Sequence, residues 1–238
     1  AIRRQRQMCI RDRQGNAYNY RDDVISILFM GIDYMGDEKN WFYATESNGG
    51  NADVIGLVIL DTRTFDFSML YIPRDTMADV IAMDANGQYL DTVYTNISTA
   101  HSYGDGKDLS CRLTTDAVSR LLYGAPVSRY VALDYDALYT LNDLIGGLTI
   151  TFDDDYTEIH STFTKGSTVT LNRWYMDKFI TYRSETDLEG AYKRGMRSMA
   201  VMKALFNQCK GKIVADPAVA LEYYNGLKDY ICLLYTSP

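Results

Sequence analysis

Two apolar runs joined by a four-residue turn set the tightest limit on what this chain can fold into: Val54–Leu60 (VIGLVIL), then Asp61-Thr62-Arg63-Thr64, then Phe65–Ile72 (FDFSMLYI). Val54–Leu60, with no polar side chain, offers no face to water and belongs inside a sheet. The turn is short enough to return the chain antiparallel, which makes the pair a hairpin. Val24–Phe29 (VISILF) reads as another buried strand that runs into a loop at Met30-Gly31-Ile32-Asp33. Val80–Met83 and Gln88–Asp91 flank Asp84-Ala85-Asn86-Gly87, whose Asn-Gly pair predicts a second, smaller hairpin.

The rest of the chain alternates between strands and helices. Asp108–Tyr123 is helical by the rhythm of Leu109, Leu113, Ala117 and Leu121. Tyr130–Leu133 and Leu148–Phe152 read as short strands, and Asp134–Leu144 as a helix closed by Gly146-Gly147. Asn172–Tyr182 and Tyr192–Gln208 are helical, and Pro217 opens a last helix toward Tyr230. Asp37–Asn51 is a polar loop. Mixed strands with helices between them predict an α/β protein: a three-layer α/β/α sandwich with a central mixed β-sheet and a small peripheral β-hairpin.

The two ends are read apart from this pattern. Traced back to DNA, Met8-Cys9-Ile10-Arg11-Asp12-Arg13 and Cys232-Leu233-Leu234-Tyr235-Thr236-Ser237 are opposite strands of one element, and they resemble the translated mosaic end of a transposon-based sequencing library. The expectation is a single domain over residues 14–231, with 1–13 and 232–238 as adapter scars. The formal net charge is −7, and setting aside the five arginines and one aspartate of residues 1–13 makes the remainder more acidic still. Such a surface argues against general binding to nucleic acid or to an anionic membrane. Cys111 and Cys209 fit no zinc motif, nor do His101 and His160, and a disulfide between the two cysteines is left open.

Against this acidic background a few arginines and aspartates stand at strand ends. Asp33 follows the first buried strand, Asp53 precedes the second, and Arg74-Asp75 close the third in IPRD. Arg183, Arg194 and Arg197 lie across TYRSETDLEGAYKRGMRSM, and Arg194 and Arg197 are three apart, on one helix face. Two carboxylates suit a hard divalent cation that shares phosphate oxygens. Guanidinium forks match phosphate oxygens as well. A metal together with arginines is the equipment of phosphoryl transfer.

The blocks ILFMGIDYMG, ADVIGLVILDTRTFDFSMLYIPRDT, TAHSYGDGKD, AVSRLLYGAPVSRYVALDYDALYTLNDLIGGLTITF and FITYRSETDLEGAYKRGMRSM together resemble the LytR-CpsA-Psr family. The resemblance implies an extracytoplasmic domain, normally tethered by an N-terminal membrane helix. It would move a glycopolymer, such as wall teichoic acid or capsular polysaccharide, from a polyprenyl-pyrophosphate carrier onto peptidoglycan, leaving a phosphodiester. It also implies an apolar pocket for the lipid. By the same resemblance Asp33 and Asp53 would bind Mg2+ (or Mn2+), and Arg74, Arg183 and Arg194 would contact the pyrophosphate with Arg197 near them. Asp75 would either orient Arg74 or take a proton.

The sequence departs from the family pattern at four places: Asn51 and Thr181 where an arginine is usual, Asn96 where a lysine is common, and Ser198 where a glutamine often stands. Each loss removes a charge or a hydrogen bond worth about 1.5–3 kcal/mol where it is charge-assisted. These departures leave two alternatives beside transfer: a module that binds polyprenyl pyrophosphate without turnover, and a hydrolase that passes it to water.

Overall fold

The computed structural model describes residues 9–11, 17–19, 21, 23–32, 50–84, 86–127, 129–184, 189–228 and 231–234. Its centre is a five-stranded sheet in the order β11 (Ile231–Leu234), β8 (Arg129–Leu133), β3 (Val24–Ile32), β4 (Ala52–Asp61), β5 (Phe67–Ile72). Only β3 and β8 run parallel; the other neighbours are antiparallel, so the sheet is mixed. The hairpin expected from the two apolar runs is β4–β5. It turns through Phe65, whose φ of 58° and N–H bond to the Asp61 carbonyl (2.9 Å) close the loop.

Each face of the sheet has its own cover. On one, Leu28, Met30, Ile55, Leu57 and Ile72 pack with Cys111, Ala117 and Val118 of α1 (Asp108–Leu121). The same core takes in Ala78 and Val80 of β6 (Met77–Met83), which pairs with β7 (Tyr89–Asn96) as the small peripheral hairpin. On the other face lies the 26-residue α4 (Gly190–Ala215), with Phe206 edge-on to Phe29 of β3 at 4.9 Å between ring centres. Behind it, α2 (Tyr135–Leu144), α3 (Arg173–Thr181) and α5 (Val219–Leu227) close a second core around Phe152, Phe163, Met176, Phe179, Val201 and Leu205. The result is the α/β/α sandwich the pattern of elements predicts.

Local chemistry explains the boundaries. Asp134 caps α2 by accepting the Ala137 N–H (2.7 Å), and Asn172 caps α3 by accepting that of Tyr175 (2.9 Å). α2 ends at Gly146 and Gly147, both at positive φ, where Gly147 donates to the Asn142 carbonyl (2.8 Å). The buried Asn142 side chain then accepts from the Leu148 N–H (2.8 Å) and donates to the Leu171 carbonyl (3.1 Å). It thereby ties α2 to β9 (Leu148–Thr151) and β10 (Thr168–Leu171), an antiparallel pair. LNDLIGGLTI, part of one of the blocks that carry the family resemblance, is thus an assembly joint.

Two further findings bear on points the sequence left open. Cys111 and Cys209 are free thiols, with no disulfide between them. Residues set aside at the ends are paired: β1 (Cys9–Arg11) with β2 (Ala17–Asn19), and β11 with β8 at the sheet edge. An open edge accepts any short apolar β-former through its main chain, so Ile231-Cys232-Leu233-Leu234 completes the sheet whatever its origin.

Candidate active site

The site is built where β4 begins. Gly31 pairs with Val54 and Ile32 with Ala52, so Asp53 is an extra residue with no partner across the ladder. Such a bulge breaks the strict alternation of side chains and re-aims one of them. Here it keeps Ala52 on the α1 side with Ile55 and Leu57, while the Asp53 carboxylate meets groups from two distant parts of the chain. Asp53 is 5 % exposed.

Arg74 comes from the turn after β5, where the Thr76 N–H donates to the Pro73 carbonyl (2.9 Å). The Arg74 carbonyl accepts from Ser98 of the short 3-10 helix Ile97–Ala100 (3.2 Å), which anchors the turn on the core. Its Nη1 donates to Asp53 Oδ1. Arg194 arrives from the first turns of α4 and its Nη2 donates to Asp53 Oδ2 at 3.0 Å. Two guanidinium groups therefore share one carboxylate in a part-buried place. The Arg74 side chain is 26 % exposed and that of Arg194 15 %, so both keep an open side.

A glycine sets the height of α4 above this point. A Cβ built at Gly195 would collide with the Tyr71 hydroxyl of β5, so only glycine lets helix and strand come this close. Burial pushes the Tyr71 phenol pKa up, and the charges of Arg194, Asp75 and Arg74 all act on it, which locates Tyr71 beside the whole cluster. Asp75 stands in the same turn as Arg74, largely exposed, with its Oδ1 3.8 Å from Arg74 Nε.

The remaining predicted residues divide. Arg183 is exposed, and its side chain lies 3.4 Å from where a Cβ of Gly190 would be, at the start of α4 and one turn before Arg194. Arg197 faces away from the cluster. It is 4 % exposed, with Nε donating to the Phe179 carbonyl (2.8 Å) and Nη2 to that of Tyr182. These are the end groups of α3, so Arg197 satisfies carbonyls that have no helical partner. Burial lowers its pKa. The shared helix face expected of Arg194 and Arg197 is split between an acid and a helix end. Asp33, residues 185–188 of the acidic loop and most of the 37–51 loop lie outside the described residues.

Beside the cluster, on the α4 face of the sheet, lies an apolar cavity. Its floor is Phe29, Gly31, Val54 and Gly56 of β3 and β4, and its walls are Leu133, Asp134, Tyr135, Leu138, Ile180, Met199 and Met202. Gly56 opens it: a Cβ there would lie 2.8 Å from the Met199 methyl. Val54 adjoins Asp53, and Ser198, which donates to the Arg194 carbonyl (3.1 Å), lines the same cavity, so greasy space and arginine cluster share a border.

Two site features escaped the sequence reading. His101 is fully buried, with Nδ1 at 2.8 Å from the Gly50 carbonyl and Nε2 at 3.8 Å from Cys111 Sγ. It pins the chain three residues before Asp53; the only signal was its place in TAHSYG. The bulge at Asp53 left no signal at all.

A profile of the LytR_cpsA_psr family matches residues 3–216. The chain belongs to the LytR-CpsA-Psr family. Among curated relatives it is 30 % identical over 208 residues to the polyisoprenyl-teichoic acid–peptidoglycan teichoic acid transferase TagV of Bacillus subtilis (strain 168), covering 82 % of this chain and 48 % of that protein. It is 23 % identical over 188 residues to TagU of Bacillus cereus (strain AH820), covering 79 % and 54 %. The chain thus spans about half the length of these relatives. Among solved structures, B. subtilis TagV superposes with a TM-score of 0.64 at 22 % identity, covering 90 % of this chain and 75 % of that one. A structure of TagT bound to LI-WTA superposes with a TM-score of 0.62 at 20 % identity, covering 90 % and 70 %. These likenesses establish the LytR-CpsA-Psr fold for the described residues. No described helix is long and apolar enough to cross a membrane.

Proposed function

We propose that this LytR-CpsA-Psr domain transfers a glycopolymer from polyprenyl pyrophosphate to peptidoglycan, outside the cytoplasmic membrane and tethered to it. The observation that carries the reading is the meeting of Arg74 and Arg194 on the buried Asp53, at the border of an apolar cavity. A prenyl chain would enter at the cavity, which is about 50 Å3 as it stands and would widen by movement of the flexible Met199 and Met202, and its diphosphate would reach the arginines. The curated relatives act, by their names, on polyisoprenyl-linked teichoic acid and peptidoglycan, which supports this substrate class.

In the reaction, an acceptor hydroxyl attacks the phosphorus that bears the sugar. The bond from that phosphorus to the bridging oxygen breaks, and polyprenyl phosphate leaves with the electron pair. Arg74 and Arg194 stabilise the charge that grows on the departing phosphate, and Arg183 approaches from solvent. The hydroxyl proton passes to Asp75, the exposed carboxylate beside Arg74.

Asp53 suits a divalent cation in its chemistry: a buried carboxylate whose hydrogen bonds, among the described residues, come from guanidinium groups alone. When a diphosphate gives those arginines a richer anion, Asp53 and Asp33 would hold Mg2+ (or Mn2+), which would neutralise the diphosphate. The test is transfer from a polyprenyl-pyrophosphate oligosaccharide to peptidoglycan, with and without chelator. Arg74→Ala should lower turnover at least tenfold, taking a charge-assisted contact at about 1.5–3 kcal/mol. Undiminished turnover removes the site; release of product at the same rate without acceptor identifies a hydrolase.

A further inference from the structure

Helix α4 meets the apolar cavity along Ser198, Met199 and Met202. On the adjoining face, with Met199 as the shared wall, a cleft of about 760 Å3 runs between α4, the edge strand β5 and the segment 153–165. It continues into a second hollow of about 530 Å3 along β9, sharing Asp153, Ala200 and Lys203. The linings differ in kind. The cavity beside Asp53 is formed almost wholly by apolar groups. The cleft presents Tyr71 and Tyr156 with Asp153, Asp154, Lys165 and Lys203, two acids against two bases.

We infer that this cleft binds the glycan strand of the acceptor; the inference rests on the transfer reading above. Three observations carry it. First, the lining is aromatic, hydrogen-bonding and electrically balanced, which suits a chain of neutral amino sugars: ring faces for their C–H surfaces, donors and acceptors for hydroxyl and acetamido groups. Tyr156 already donates to Asp153 (3.1 Å), and burial together with that carboxylate pushes its pKa to about 12, so it stays a neutral donor. Second, the cleft reaches the reacting groups. Tyr71 lines it, while its hydroxyl rests on Gly195, next to Arg194, under the charges of Asp75 and Arg74. Third, phosphoryl transfer keeps the attacking and leaving oxygens roughly in line. With the lipid phosphate leaving toward the cavity, the attacking hydroxyl comes from across Met199, the side chain that divides cavity from cleft.

The test uses the whole chain and a triple variant, Asp153→Ala/Lys165→Ala/Lys203→Ala, all exposed positions. Met69→Trp, on the same face of β5 as Phe67 and Tyr71 and so aimed at the cleft, is a second and purely steric block. Three quantities are measured: KM for a peptidoglycan glycan acceptor, KM for the polyprenyl-pyrophosphate donor, and direct binding of an N-acetylated amino-sugar tetrasaccharide by NMR. Both variants should raise the acceptor KM roughly tenfold, as the loss of two or three hydrogen bonds implies, with donor KM within about twofold and tetrasaccharide binding lost. An unchanged acceptor KM, or a rise in donor KM alone, overturns the inference; the latter would assign the cleft to the donor's own sugar. Should the native chain transfer nothing, affinity for a short prenyl diphosphate reports on the transfer reading by itself. The tetrasaccharide still decides the cleft: bound by the native chain and lost in both variants, or not bound at all.

Discussion

Strand β4 ends on an aspartate at each side, and both aspartates meet two arginines. At the far end, Asp61 holds Arg21 (2.6 Å) and lies 3.9 Å from Arg63, while its Oδ1 also accepts the backbone N–H groups of Arg63 and Thr64. Asp23 joins them through both arginines. These arginines are more than half exposed, and the turn fixes Asp61 through its own backbone. At the near end, Asp53 is buried and its arginines come from β5's turn and from a helix 141 residues along the chain. Residue type and pairing are alike; what differs is burial and reach. Asp61 shapes a turn. Asp53 holds two part-covered cations at the edge of a cavity, each through a hydrogen bond to one of its oxygens.

The largest contrast should follow from deleting each acid. Asp53→Ala removes the carboxylate that Arg74 and Arg194 share and leaves only the exposed Asp75 beside Arg74, and transfer should fall at least a hundredfold. Asp61→Ala should keep activity within about twofold, since exposed pairs are worth about 0–1 kcal/mol. Next, Arg194→Met and Arg197→Met separate two arginines three residues apart. The first should cost activity about 10–100-fold with little change in melting temperature. The second strands two helix-end carbonyls; at about 1–3 kcal/mol each and about 2–4 °C per kcal/mol, it should melt roughly 5–15 °C lower. Gly195→Ala should cost about 1–3 kcal/mol by overpacking against Tyr71, and Tyr71→Phe should recover part of it by removing the clashing oxygen.

The smallest effect is acidic. The hydrogen bond from Arg21 holds the Asp23 carboxyl down at about 2 from its ordinary 3.8. The backbone N–H of Arg63, then Arg21, lower that of Asp61. A depressed carboxyl pKa gives stability that is complete above its unfolded value and fades as pH falls through the folded one. The loss should therefore come between about pH 4 and 2 in thermal melts, and be absent in Asp23→Asn/Asp61→Asn.

The sequence made the hairpin legible because apolar runs and a polar turn are local signals, and the same holds for the helices with Asp134 and Asn172 as caps. β10 was missed because Thr-Val-Thr-Leu is short and half polar, an exposed edge whose only buried member is Leu171. At the site, strand ends picked out Asp53 and Arg74, but nothing local separates Asp53 from Asp61. That difference is made by a bulge and by Gly195, which act through packing. Arg197 looked like Arg194 for the same reason: spacing along a helix gives a face, and only the fold says what the face meets.

In the proposed reaction Arg74 and Arg194 leave Asp53 for a diphosphate. Calorimetric titration of a short prenyl diphosphate into the native chain and into Arg74→Ala/Arg194→Ala measures that exchange. The native chain should bind, and the double variant should bind at least a hundredfold more weakly. Equal affinity in the two would mean that the arginines do not hold the diphosphate.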